Sequence, residues 1–195
     1  APLNNGFIGV DVFFVISGFV IANSIANDLQ RTGYFSFRKF MVKRFWRLFP
    51  GLVVMISVVL VISVFYAPVR QLPRILGTAL TGSLGVSNLY LGNREVNYFS
   101  PPQEGNPLLH TWSLGVEAQF YLILGLIAWI LFTLRPTKLG TKFLLAGGVL
   151  GSLWLVALTF LTAPTLLADA FYDPVTRFSE FIVGVVTFMV DRSIR

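Results

Sequence analysis

The stretch LLHTWSLGVEAQFYLI, residues 108–123, places His110, the single histidine of the chain, two helical turns ahead of Glu117. A histidine and a carboxylate are the side chains from which a general base and its orienting partner are built. On a helix His110, Ser113 and Glu117 fall at i, i+3 and i+7 and form one polar stripe. A rise of about 1.5 Å per residue separates His110 from Glu117 by about 10 Å along the axis, too far for a direct hydrogen bond, so the two are not a dyad. The plainer alternative has His110 capping a backbone group near an interface and Glu117 paired with an arginine of another helix.

Three further groups could do chemistry. Asp11 interrupts the apolar run GFIGVDVFFVISGFVI, in which the glycines and Ser17 let neighbouring helices approach closely; it reads either as a buried functional carboxylate or as a helix-start cap. Arg177 and Glu180 stand at i, i+3 in YDPVTRFSEFIVG, an intrahelical ion pair unless Arg177 reaches Glu117 instead. Arg44 and Arg47 in KRFWRLFP sit about one turn apart, a spacing at which two guanidiniums can grip a phosphate. The alternative for that pair is an anchor to anionic lipid. No glycine-rich phosphate loop, nucleophilic serine elbow or HExxH motif occurs. With no cysteine and one histidine, an all-protein zinc site and a thiol nucleophile are not expected.

The elements that must position these residues are set by hydropathy. The 195 residues are 55% hydrophobic and 12% charged, with mean hydropathy +0.73. That is about half the charged fraction of a soluble domain, and several apolar runs approach the roughly 20 residues that cross a bilayer core. The fold class expected is all-α, a polytopic transmembrane bundle of five to six membrane segments plus one basic interfacial helix. Apolar segments are predicted over 7–25, 51–67, 72–91, 108–134, 143–161 and 177–190. The basic stretch 34–50, rich in Arg38, Lys39, Lys43, Arg44 and Arg47, is expected to lie along the interface and to end or kink at Pro50. The net charge of +6 fits anionic lipid and a positive-inside bias rather than nucleic acid.

Charge also constrains topology. With the 31–47 cluster inside, six crossings would put Arg135, Lys138 and Lys142 outside, against the rule. If the weaker segment 72–91, with its scattered Gly, Ser, Thr and Asn, enters and leaves by one face, the conflict disappears. Residues 135–142 and 191–195 are then inside, and Asp169 and Asp173 outside.

Four blocks resemble the acyltransferase-3 family of membrane O-acyltransferases: GFIGVDVFFVISGFVI (6–21), FSFRKFMVKRFWRLFP (35–50), PLLHTWSLGVEAQFYL (107–122) and FYDPVTRFSEFIVGVV (171–186). They span almost the whole chain in the family's order. The resemblance implies transfer of an acyl group, usually acetyl from cytosolic acetyl-CoA acting as co-substrate, to a hydroxyl of a cell-envelope glycan such as a surface polysaccharide or lipopolysaccharide. No tightly bound cofactor is expected. Arg44 and Arg47 match the family's Arg-x-x-Arg pair implicated in acyl-CoA handling, with Lys43 and Arg38 attracting the phosphates. The family's catalytic histidine lies in an Arg-x10-His motif on a helix before the GVDVFF block. Residues 1–195 are therefore expected to be part of such a domain, lacking that helix and the C-terminal ones, and inactive alone.

In that reading Glu117, Asp11 and Arg177 take supporting catalytic roles, and His110, Ser113, Glu180 and Ser17 stand behind them. The expected location is the bacterial cytoplasmic (inner) membrane, multi-pass. The expected partners are membrane lipids, acyl-CoA, a glycan acceptor and an extracytoplasmic domain of the full-length chain. Two other readings compete: a transporter or flippase component whose charges line a path, and a scaffold whose basic helix only reads lipid.

Overall fold

The computed structural model describes residues 6–95, 105–134 and 174–194, and all regular structure among them is helical. The predicted segment 143–161, the basic stretch 135–142 and the acidic positions Asp169 and Asp173 lie outside the described residues. The helices are α1 (Gly6–Thr32), α2 (Phe37–Tyr66), α3 (Leu72–Ser83), α4 (Ser87–Glu95), α5 (Thr111–Leu134) and α6 (Pro174–Ile194), with a short 3-10 turn at Val69–Gln71. Three of them, α1, α2 and α5, are long and apolar enough to cross a membrane. The protein is an all-α membrane protein.

Local signals set the boundaries. α1 closes where Gly33 takes φ +72 and its N–H bonds the Leu29 carbonyl at 2.9 Å, the left-handed exit that glycine makes without steric cost. α2 opens on Ser36, whose hydroxyl accepts from the Lys39 N–H at 3.4 Å. α3 ends in a Schellman turn, with Gly85 at φ +71 and its N–H on the Gly82 carbonyl, and the Val86 N–H on the Thr81 carbonyl.

One element differs from expectation, and the weak segment 72–91 is irregular. The separate basic interfacial helix does not form: the basic residues make up the first turns of α2, which runs unbroken through Pro50 for 30 residues. A proline forfeits one backbone bond, to the carbonyl four residues earlier, and apolar helices in membrane proteins tolerate that loss. The segment 72–91 is not one helix but two, α3 of 12 residues and α4 of 9, broken at Gly85. At about 1.5 Å per residue neither reaches the roughly 30 Å of a bilayer core.

The chain divides into two compact units, one from residues 1–41, 120–165 and 175–195, the other from 42–119 and 166–174. In the first, α1 and α6 pack in parallel: Asp11 meets Arg177, Phe14 stacks on Phe181, and Phe19 meets Phe188 edge-on. The approach is close because Gly184 lies against the Val15 carbonyl and Gly18 against the Phe181 carbonyl, leaving no room for a Cβ on either. Phe120 of α5 completes the column at 4.1 Å from the Phe181 ring, and Gly125 of α5 lies against Phe37 and Phe40.

In the second unit Ile56 of α2, Ile75 and Ala79 of α3, and Leu108 just ahead of α5 form one apolar cluster. α3 and α4 fold back on each other, with the Tyr90 hydroxyl seated on Gly77. In the first unit Gly125 of α5 lies beside the first turn of α2, and in the second Leu108, just ahead of α5, lies beside Ile56 of α2.

Candidate functional site

Each expected site residue has a definite place. In the first unit, Arg177 near the start of α6 donates from one nitrogen, Nη1, to Glu180 Oε1 at 2.9 Å and to Asp11 Oδ1 at 3.0 Å. The i, i+3 spacing delivers Glu180, and the parallel packing of α1 on α6 delivers Asp11. The exposure is graded: the Arg177 side chain is 15% exposed, Glu180 21% and Asp11 43%. Asp11 is thus the accessible end of the group, and Glu180 the inner one. The other oxygen of Glu180, Oε2, is buried with no hydrogen-bond partner among the described residues. Ser17, two turns below Asp11 on α1, is buried.

Two carboxylates share one guanidinium there, near the N-terminal ends of α1 and α6. At the other ends of the same helices stand Arg31 and Arg192, each in the last turn, with Arg38 just beyond on α2. Twenty residues separate Asp11 from Arg31, about 30 Å of helix.

The second unit holds the remaining candidates. Glu117 is fully buried, at 0% exposure, in the interior of α5. Arg44 is buried as well, whereas Lys43 and Arg47 are exposed, as is Arg38 in the first unit. The two guanidiniums of the Arg-x-x-Arg pair are therefore in different surroundings, since three residues turn a helix by 300° and not a full circle. His110 is exposed and sits in the turn just before α5, not on its polar stripe; Ser113 donates its hydroxyl proton to the His110 carbonyl at 3.1 Å. The local break that places His110 off the helix is made by Asn106, whose side-chain oxygen accepts from the Leu108 N–H at 3.0 Å.

Sequence reasoning missed a set of buried polar side chains around α3 and α4. Arg74, Thr78, Ser87, Asn88, Asn106 and Thr111 are all buried. The Asn106 amide donates to the Thr78 hydroxyl at 2.7 Å, the Ser87 hydroxyl to the Thr111 carbonyl at 2.8 Å, and the Gln119 amide to Asn88 Oδ1 at 2.8 Å and to the Gly85 carbonyl at 3.1 Å. The available signal was Arg74 itself, a cation inside an otherwise apolar run, which in a membrane protein marks a polar interior.

Against this geometry the comparisons with known proteins are informative. The family model described as an acyltransferase domain, acyltransferase-3, matches residues 2–195. The chain belongs to that family. It is 35% identical over 185 residues to the peptidoglycan O-acetyltransferase OatA of Listeria monocytogenes, covering 92% of this chain and 28% of the relative. It is 31% identical over 188 residues to the O-acetyltransferase OatA of Staphylococcus aureus, covering 94% of this chain and 30% of the relative. A putative O-acetyltransferase of Staphylococcus aureus is 28% identical over 187 residues. The chain thus spans under a third of the length of these curated relatives. No solved structure matches.

Proposed function

We propose that this chain is part of a multi-pass membrane O-acyltransferase of the cytoplasmic membrane, which moves an acetyl group from cytosolic acetyl-CoA to a hydroxyl of a cell-envelope glycan. The observation that carries the reading is the family match along residues 2–195, reinforced by relatives whose names describe O-acetyl transfer. In the reaction the thioester C–S bond breaks, an ester C–O bond forms, the acceptor hydroxyl gives up its proton to a base, and the CoA thiolate leaves and is protonated. The base is the imidazole of the Arg-x10-His helix that the family resemblance implies.

Residues of this chain supply the surroundings of that step. Arg44 and Arg47, with Lys43 and Arg38, attract and hold the phosphates of the donor. Buried Arg44 contributes the stronger, desolvated contact, and the exposed trio steers from solvent. Glu117, in a water-poor interior, orients the base or stabilises the charge it gains. Asp11, held by Arg177, is a second carboxylate available to an incoming group. Ser17, Ser113 and His110 flank these positions. A lipid bilayer surrounds the apolar helices, and an extracytoplasmic domain of the full-length protein is an expected further partner.

The test is acetyl transfer from radiolabelled acetyl-CoA by the full-length protein in membranes. Arg44→Ala should abolish transfer at normal expression. Arg47→Ala should raise the KM for acetyl-CoA more than it lowers kcat. Wild-type transfer by the double variant would sink the donor assignment.

A further inference from the structure

The α3–α4 hairpin carries its polarity inside out. Arg74 and Thr78 are buried on the protein side of α3 together with Ile75, Ala79 and Gly82, while Leu76, Leu80 and Leu84 form an i, i+4, i+8 stripe that is 50%, 69% and 77% exposed. In water the leucines would be the residues to bury and Arg74 the one to expose. The pattern fits a helix whose outer face meets something apolar and whose inner face meets a polar interior.

Depth within the second unit says what that apolar neighbour is. Gly82, one turn before the break, faces the Ile56 side chain of α2. Ile56 is ten residues short of the end of α2 at Tyr66, about 15 Å along its axis. It also lies inside the apolar stretch 51–67. α3 therefore runs from the end of α2 back alongside it, and the turn at Gly85 comes near the middle of the apolar span. α4 then reverses direction, as the seat of Tyr90 on Gly77 shows.

A chain break at that depth has to satisfy its own backbone, because hydrocarbon offers no hydrogen bonds. The structure does this. The Schellman bonds take up the Gly82 and Thr81 carbonyls, and the Gln119 amide donates to the Gly85 carbonyl. The Ser87 hydroxyl covers the Thr111 carbonyl at the start of α5.

We infer that α3 and α4 form a re-entrant hairpin that dips to about mid-membrane and returns to the face it entered from, with Leu76, Leu80 and Leu84 as a surface for lipid acyl chains. The inference rests on the multi-pass reading, because it needs α2 to span. It adds that the segment contributes no crossing and that its break is membrane-embedded.

The test uses the full-length protein with any cysteines outside this segment replaced, since residues 1–195 contain none. Single cysteines at Leu76, Leu80 and Leu84 are nitroxide-labelled, and the protein is reconstituted in phosphatidylcholine–phosphatidylglycerol vesicles. Collision with oxygen, which concentrates in lipid, is compared with collision with a water-soluble nickel complex. Val61 of α2, 60% exposed, serves as the spanning control. The expected result is oxygen above nickel by severalfold at all three leucine positions and at Val61. Nickel above oxygen on the hairpin alone overturns the inference, and low collision with both reagents does so too, because it means protein covers the stripe. Nickel above oxygen at Val61 as well overturns the spanning reading instead. Leu84, the most exposed of the three, keeps the test valid should labelling at Leu76 disturb folding.

Discussion

Replacing Gly184 by alanine tests the packing of α1 on α6 through the sign of its effect. Inside a helix, Gly→Ala is intrinsically stabilising by up to about 1 kcal/mol. At Gly184 the new Cβ would run into the Val15 backbone carbonyl, with the Phe19 nitrogen close behind. Backbone cannot swing aside as a side chain can, so the helices must separate. Overpacking of this kind costs about 1–3 kcal/mol, and separation also loosens the Phe14–Phe181 stack and the Asp11–Arg177 bridge. The net expectation is a loss of about 1–2 kcal/mol, roughly a five- to thirtyfold fall in the ratio of folded to unfolded protein. Gly51 of α2 is the matched control, with nothing within 4 Å of an added Cβ, so Gly51→Ala should be neutral or stabilising. Unfolding of the purified full-length protein in mixed micelles by titration with SDS reads both. A Gly184→Ala variant as stable as Gly51→Ala would refute the close approach.

Other substitutions probe the polar groups. Arg177→Ala removes its bonds to Asp11 and Glu180; about 2–3 kcal/mol should be lost in the same titration, the Asp11 arm counting for less because Asp11 is nearly half exposed. Arg177→Lys, a point charge without the planar fork, should recover part of that. Gln119→Ala leaves the Gly85 carbonyl without its donor and should cost about 1–3 kcal/mol, with faster proteolysis near Gly85 as a local readout. Glu117→Gln keeps the shape at a fully buried position and should lower acetyl transfer by about a hundredfold or more at normal expression; transfer within threefold of wild type would deny Glu117 an electrostatic role.

Much of this was legible in the sequence, and the rest was hidden for identifiable reasons. Long apolar runs announced α1, α2 and α5 because hydropathy over 20 residues is a strong signal. The i, i+3 spacing announced the Arg177–Glu180 pair. Asp11 as a partner of Arg177 was not legible, because it needs the parallel packing of helices 166 residues apart in sequence. Nor was the difference between Arg44 and Arg47, since no periodicity tells which side of a basic, aromatic-rich turn faces a neighbour. Pro50 does not end α2, because the apolar run on its far side outweighs the one backbone bond that proline forfeits. That His110 stands just ahead of α5 was not legible, because the Asn106 turn is a tertiary feature, locked by Thr78.

With 72–91 re-entrant, as inferred above, the conflict of charge disappears. Six crossings would have left Arg135, Lys138 and Lys142 on the side opposite to the 31–47 cluster. Leu108, just ahead of α5, lies beside the later half of α2, so on the multi-pass reading a re-entrant α3–α4 hairpin adds no crossing. On that reading Gly125 of α5 lies beside the first turn of α2, the end that carries Arg38 and Lys39. Arg31 and Arg192 agree independently, because parallel packing of α1 and α6 brings their last turns to one end. The energetic consequence is moved rather than removed. A hairpin at mid-depth exposes a turn where backbone has no water, and the polar residues at 87, 88, 106, 111 and 119 are the compensation. Their presence in an apolar chain follows from the topology, as does the weak hydropathy that made 72–91 hard to read.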